Sequence, residues 1–522
     1  MGISRRAFLQ GSALAALGVA ARARISSARG LLVDATLDEI IGRALAAAKK
    51  VGASYADCRL VRRRIENLST REDHITGVGY SESYGLGVRV IAGGAWGFAA
   101  SSRADVKEAE RVAALAVDIA RANAGAVKKP VELAATDIHV DVWQTPLTKD
   151  PFKIPLEDKA ELLLAINREA MKNPGVKYAS SSYTGMGEWK LLATSEGAYI
   201  EQDITRVGPG YSLTVVDSQS GQFQTNNHDF AARQGGWELV ESSTLLADAP
   251  RLAEEAVQKI KARSVEPGRK DLILHPTNLW LTIHESIGHP TELDRALGFE
   301  ANYAGTSFAT PDKLGKLSYG SPLVSVYADK TDLPGLATCG YDDDGVKTQK
   351  WDLVKDGRFV GYQTTRDQAA FIGEKTSRGT CYAQDFKSFP FQRMPNVSLA
   401  PGAKDLGVQE LIAATDDGVY IKGNGSWSID HQRYNFQFGG QLFYEVKKGK
   451  IVGMLKDVAY QANTLEFWHA LDVLGGKREW QLGGALGDGK GEPSQSNAVS
   501  HGCPPARFRG VNILNTSTKV PS

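Results

Sequence analysis

His284-Glu285-Ser286-Ile287-Gly288-His289-Pro290-Thr291-Glu292-Leu293-Asp294-Arg295-Ala296 stands near the middle of this chain, and its reading decides both fold and chemistry. Two imidazoles bracket a stretch whose second residue is a carboxylate, giving H-E-x-x-x-H. This is one residue longer than the H-E-x-x-H of zinc peptidases, in which the histidines bind metal and the glutamate activates water. The extra residue matters. At about 100° per residue, an i,i+4 pair lies about 40° apart on a helix, whereas an i,i+5 pair lies about 140° apart. A regular helix therefore cannot aim His284 and His289 at one ion. A π-bulge, or unwinding at the second histidine, would let them converge. Gly288 and Pro290 flank His289 and permit such a break. The ordinary alternative is a pair of surface or core histidines. The context argues for a mounted site, because Asp271-Leu-Ile-Leu-His275 reads as a short apolar strand and Thr277–Ile287 as an apolar helix.

Upstream of this strand, Glu266-Pro-Gly-Arg269 marks a boundary by its turn chemistry. Residues 31–265 then form an N-terminal α/β domain and residues 266–522 a C-terminal domain. Leu37–Val51, Asp105–Ala122, Leu156–Lys172 and Pro250–Ala262 have helical spacing. Between them, Tyr55–Arg64 alternates as a strand, and Tyr84–Ala99 folds as a hairpin turning at Gly93-Gly94. Those glycines interrupt strands and do not open a helix, so a phosphate cradle is disfavoured. From Val176 to Val240 short alternating runs predict an antiparallel meander. Beyond the motif, Val324–Asp329, Gly418–Lys422, Tyr434–Phe438, Gln441–Val446 and Lys450–Leu455 read as strands. The expected class is α+β, with a mostly β C-terminal domain carrying the motif helix. Tyr341-Asp-Asp-Asp-Gly-Val346 lacks the spacing of a calcium loop and reads as a solvated acidic turn.

Bulk properties exclude several functions. The 61 Lys and Arg nearly cancel 60 Asp and Glu, so no global field favours nucleic acid or an anionic membrane. No segment has the length and apolarity of a stable membrane span. The 54 glycines point to turns and β-structure. Four cysteines, Cys58, Cys339, Cys381 and Cys503, are no disulfide framework for this length, though one isolated bridge is compatible with it. Ser4-Arg5-Arg6-Ala7-Phe8-Leu9, the apolar run Gly11–Ala21 and Ala21-Arg22-Ala23 read as a twin-arginine leader with its cleavage site. Residues 1–30 are therefore expected to be a signal peptide, and the mature chain periplasmic or otherwise extracytoplasmic.

A catalytic zinc needs a third protein ligand. His275, His431, His469, His501, Cys339, Cys381, Cys503 and Glu292 are all available. Cys503, in Ser500-His-Gly-Cys-Pro-Pro505, sits on a constrained loop, and a thiolate with two imidazoles is an acceptable shell. Spacing alone favours a buried inert cysteine or a reduced surface thiol over a ligand. At this point the residues resemble a known family. Gly85–Ala99, His284–His289, Tyr341-Asp-Asp-Asp-Gly345 and the terminal His-Gly-Cys loop together resemble the TldD/PmbA family, over about Leu37–Leu514. The histidine motif places the chain with its TldD-like, catalytic branch.

The resemblance implies a zinc metallopeptidase in which His284, His289 and Cys503 hold the ion and Glu285 is the catalytic base. It implies peptides or unfolded segments as substrate, and a TldE/PmbA-like paralogous subunit as partner, with a homodimer as the alternative. His431, His501 and tyrosines are candidates for stabilising the oxyanion. The competing expectation is a non-hydrolytic binding or assembly subunit whose metal is structural or absent. A serine-hydrolase reading has no G-x-S-x-G elbow to support it.

Overall fold

The computed structural model describes residues 35–517. The expected leader, residues 1–30, lies outside the described residues. Among the described residues, no helix is long and apolar enough to cross a membrane, and all four cysteines are free. The fold is α+β, carried by two eight-stranded sheets with smaller ribbons.

The first sheet contains β1 (Tyr55–Arg71), β2 (His74–Ala92), β3 (Ala95–Ser101), β4 (Val140–Gln144), β5 (Val176–Thr194) and β6 (Tyr199–Val216), in the order β3-β2-β1-β5-β6-β4. All neighbours are antiparallel except β4, which runs parallel to β6. Gly93 and Gly94 turn β2 into β3 with φ of 61° and 78°. A two-residue hairpin turn with both residues left-handed matches strand twist, which is why two glycines stand there.

Alternation along these strands sorts the sheet into two unlike faces. Leu60, Leu86 and Val88 on one face are buried under helices α1 (Ala35–Lys50) and α2 (Val106–Asn123). Farther along the same face, Leu68, Tyr183 and Val207 are buried under α3 (Leu156–Met171) and α4 (Leu245–Lys261). The opposite face carries Arg59, Arg89, Glu188, Lys190, Gln202 and Arg206, and these too are buried. They are covered by the second half of the chain. Arg206 Nε donates to Leu336 O at 2.8 Å and Gln202 Nε2 to Tyr341 O at 2.9 Å. Lys190 Nζ meets Asp343 Oδ2 at 2.8 Å, and Arg89 Nη2 meets Asp344 Oδ1 at 2.6 Å.

The acidic turn is therefore not solvated, and that expectation is corrected: Asp342, Asp343 and Asp344 are 2%, 3% and 3% exposed. Charge density on a turn predicts water only where no cationic sheet face lies opposite.

The second half begins with β7 (Gly268–Leu274) and helix α5 (Pro276–Ile283), followed by β8 (Asp417–Ile429), β9 (Asn435–Lys447), β10 (Val458–Asn463), the ribbon β11 (Gln481–Lys490) and β12 (Gln495–Cys503), and β13 (Ala506–Asn515). Pairings β8-β7-β13-β10-β9-β8 close a ring, with β7 and β8 parallel. The sequence splits β9 at Gly439-Gly440, but the strand runs through them. A Cβ on Gly440 would lie 2.3 Å from Ile421 Cγ2, so the glycine marks a close approach and not a strand end. Asn278 of α5 uses that approach, donating to Gly423 O and Gly439 O at 2.8 Å each. The motif helix is thus bolted to the ring.

Candidate metal centre

Helix α5 starts with Pro276 at its first turn and His275 as N-cap, its ring accepting from Thr277 N. Leu279 and Ile283 are fully buried, as is Ile287 beyond the helix. At His284 the helix widens. Residues His284–Gly288 form a π-turn in which His289 N–H donates to His284 O, and His289–Thr291 then tighten into a 3₁₀ turn. This is the break that the i,i+5 spacing required. The two imidazole centroids lie 4.5 Å apart.

A widened turn leaves carbonyls without intrahelical donors, and Pro290 has no N–H to offer. Side chains from elsewhere supply them. Tyr319 Oη donates to Ser286 O at 2.5 Å, Thr291 Oγ1 to Ile287 O at 2.8 Å and Gln363 Nε2 to Gly288 O at 2.6 Å. Trp468 Nε1 donates to Ser286 Oγ at 2.9 Å. The carbonyls of Ser286, Ile287 and Gly288 are thereby satisfied despite the irregular turn.

The tautomers of both histidines follow from their neighbours. His501 Nδ1 lies 2.9 Å from Val397 O, which can only accept, so Nδ1 carries the hydrogen and Nε2 of a neutral His501 is an acceptor. His501 Nε2 lies 2.8 Å from His284 Nδ1, which must therefore donate. His284 Nε2 is left with a lone pair. His289 Nδ1 lies 2.8 Å from Glu292 Oε2 and donates to it, leaving its Nε2 in the same state. Both Nε2 atoms face Asp488 Oδ1, at 3.6 Å from His284 and 3.7 Å from His289. His284, His289 and Asp488 are all buried, and one ligand atom of each lies within 4.8 Å of the others.

One potential ligand atom from each of the three residues thus converges on a common point. Burial lowers the His284 imidazole, yet the contact with Asp488 outweighs it and raises His284 above its ordinary range. Asp488 is held well below the carboxylate range by His284, His289 and Arg393, again against its burial. Burial, with Arg433 nearby, pushes His289 down to about 4, which keeps it in the neutral form a metal requires. The donor set, two imidazoles and one carboxylate, fits a zinc site with an open position.

Further groups orient this set. Arg393 Nη2 holds Asp488 Oδ2 at 3.2 Å, leaving Oδ1 for the pocket. Lys490, two residues along β11 and so on the same strand face, reaches Glu292 Oε1 at 3.0 Å and Asp294 Oδ1 at 2.8 Å. Arg295 and Glu300 complete this buried network. Glu292, with His289 on one oxygen and Lys490 on the other, is kept far below its usual range although burial works against ionisation.

Of the residues singled out from sequence, His284 and His289 are brought together and Glu285 adjoins them, its carboxylate ion-paired with Arg433. Cys503 is not brought to them. It is buried in the core, its Sγ donates to Pro276 O at 3.6 Å, and burial pushes its thiol well above the ordinary value. Among the described residues, no metal-sized group of ligand atoms includes Cys503; the group that forms joins Asp488 to the two histidines. His501 serves His284 and Val397 with both nitrogens, which leaves no N–H for an oxyanion. Glu292 stands behind His289, His275 caps α5, and half-exposed His469 meets Ser318. Asp488 lies in Leu486-Gly-Asp-Gly-Lys490, which carries no ligand spacing. Its one legible trace is the i,i+2 partnership with Lys490.

Comparison with known proteins places this geometry in context. The chain matches the PmbA/TldA metallopeptidase domain 1 over residues 56–120, the central domain over 149–263 and the C-terminal domain over 267–515. It is 28% identical over 462 residues to a protein named Metalloprotease from Methanothermobacter thermautotrophicus, covering 88% of this chain and 96% of that one. It is 23% identical to a protein named Zinc metalloprotease TldD homolog from Saccharolobus solfataricus, covering 89% and 98%. In fold it is similar to the crystal structure of TldE from Thermococcus kodakarensis, with a TM-score of 0.69, 16% identity, and coverage of 91% and 99%.

Proposed function

Because this chain belongs to the PmbA/TldA metallopeptidase family, we propose that it is a zinc-dependent peptidase acting on peptides or unfolded segments. In this reading His284, His289 and Asp488 hold the ion and Glu285 is the base. The observation that carries it is the convergence of two imidazole Nε2 atoms on one carboxylate oxygen in a buried pocket. Zinc bound there supplies Lewis acidity toward a water and a scissile carbonyl.

The chain's own residues do the rest. His501 and Glu292 keep the two imidazoles in the tautomer that presents Nε2, and Arg393 keeps Asp488 turned inward. Glu285, next to His284 on the π-turn, takes the proton of the attacking water and delivers it to the leaving amine. Burial of the pocket strengthens each of these interactions.

The partner in this proposal is a subunit of the same fold, a TldE-like paralogue or a second copy. The expected twin-arginine leader assigns the protein to the extracytoplasmic space. The test is cleavage of an unfolded peptide by the purified mature protein, with and without a co-expressed paralogue and with and without chelator. Hydrolysis lost on chelation while the protein stays folded is the expected result. Hydrolysis unaffected by complete zinc removal refutes the reading, and a folded zinc-bearing protein inert in every combination favours the assembly-subunit alternative.

A further inference from the structure

The pocket contains one cation that neither orients a proposed ligand nor belongs to the Lys490 network. Arg433 donates through Nη1 to Glu285 Oε2. The Arg433 side chain is only 13% exposed. Yet its Nε is buried and meets no hydrogen-bond acceptor among the described residues. A buried, unpartnered N–H on a charged group is costly and calls for an acceptor that arrives from outside.

The backbone presents this side chain at some expense. Arg433 has φ of 64°, a left-handed conformation unusual for a residue with a Cβ. The turn is fixed on every side. Asp430 accepts Tyr434 N at 2.7 Å and Asn435 N at 3.0 Å through its carboxylate, and Arg433 N at 2.9 Å through its carbonyl. Thr464 Oγ1 donates to Arg433 O at 2.8 Å, and Thr306 N and Phe308 N bind the carbonyls of His431 and Gln432. A strained residue held this firmly beside a catalytic carboxylate is preorganised for a ligand and not left over from packing.

We infer that Arg433 is a further catalytic residue: its free guanidinium edge donates to the oxygen of the scissile carbonyl as negative charge develops there, while the Nη1 contact positions Glu285. This rests on the peptidase reading and assigns the oxyanion donor that the histidines and tyrosines of the sequence left open. A planar guanidinium suits the task because it can hold the Glu285 carboxylate and a second oxygen at once, which an ammonium at the same place cannot do with fixed geometry.

The experiment uses the zinc-loaded full-length mature protein as wild type, Arg433→Ala and Arg433→Lys. Three quantities are read: zinc per chain, kcat and KM on an unfolded test peptide, and Kd for a phosphinic pseudopeptide whose tetrahedral oxygens mimic the charged centre. In Arg433→Ala, kcat falls by about 10²–10³ with KM within about threefold. The phosphinic Kd rises by a comparable factor, zinc stays at the wild-type level, and added guanidinium restores part of kcat. Arg433→Lys falls between the two. Unchanged kcat and phosphinic Kd in Arg433→Ala, with wild type active, overturn the role of Arg433 alone. Loss of zinc in that variant reassigns Arg433 to structure and overturns it equally. A wild type that holds zinc but neither hydrolyses peptide nor binds the phosphinic probe takes down the peptidase reading itself.

Discussion

Two buried acidic regions of this molecule differ in how their oxygens are met. In the turn Asp342–Asp344, donors arrive from all sides. Asp342 accepts Val346 N at 2.9 Å and Cys381 N at 3.0 Å, Asp343 accepts Lys190 Nζ at 2.8 Å, and Asp344 accepts Arg89 Nη2 at 2.6 Å and Arg366 N at 3.1 Å. Around Asp488 the inward oxygen instead faces two imidazole Nε2 atoms, at 3.6 and 3.7 Å. Three consecutive aspartates therefore join the two halves of the chain, whereas a solitary aspartate between glycines stands with two histidines in a group that could hold a metal. Unmatched acceptors, and not acid density, mark the site.

That contrast is broken or sharpened first at Glu285. The variant Glu285→Gln should lose about 10²–10⁴-fold in kcat, the usual range for a general base, while keeping zinc. Turnover and metal analysis on the same sample check it. Unchanged turnover would remove Glu285 from the chemistry.

The next effects set the two acidic regions directly against each other. In Asp344→Ala, Arg89 keeps Asp57 at 2.7 Å but loses its second carboxylate inside the interface. Breaking such a buried ion pair costs about 3–5 kcal/mol, read from denaturant unfolding, with zinc per folded chain unchanged. Asp488→Ala should differ in its zinc readout. Zinc affinity drops by at least about 10²-fold, above what removal of an outer-shell partner costs, alongside the stability lost with the buried Arg393 pair. Zinc loss in Asp344→Ala, or full zinc affinity in Asp488→Ala, would erase the distinction. Glu292→Gln is milder. It weakens the acceptor that fixes the His289 tautomer and should reduce zinc affinity about 10–100-fold in a competition titration.

Local rules made much of this legible. The i,i+5 histidines demanded a π-turn, and Gly288 and Pro290 allowed it. Gly93-Gly94 announced a hairpin, and the apolar face of α5 was plain from Leu279 and Ile283. What stayed hidden depends on chain segments far apart in sequence. Whether the Tyr341 turn meets water or Arg89 is decided some 250 residues away. Gly440 reads as a strand breaker until Ile421 and Asn278 are set beside it. Asp488 has no spacing relation to His284; only the β11–β12 ribbon folding against α5 delivers it. Cys503 illustrates the same limit, since side-chain chemistry without a position does not say which residue of the ribbon stands beside the histidines.

The smallest predicted effect is therefore informative. Cys503 pairs across the ribbon with Gln481, and its strand then runs back through His501, opposite Gly483, toward Asn497, opposite Asp488. Cysteine and aspartate are thus six residue pairs apart, about 20 Å of strand. His501 is itself held in place, with its ring stacked on Trp280 at 6.0 Å and hydrogen-bonded at both nitrogens. For the sulfur to reach the ion, that relay and the Sγ contact with Pro276 O would both have to break. Cys503→Ser keeps a donor for Pro276 O and shortens the side chain only slightly. It should leave zinc affinity within about threefold of wild type and cost about 1 kcal/mol of stability, the usual scale for a modest change to one buried hydrogen bond. A hundredfold loss of zinc in this variant would mean that the ribbon shifts register when metal binds, exchanging the carboxylate for the thiolate.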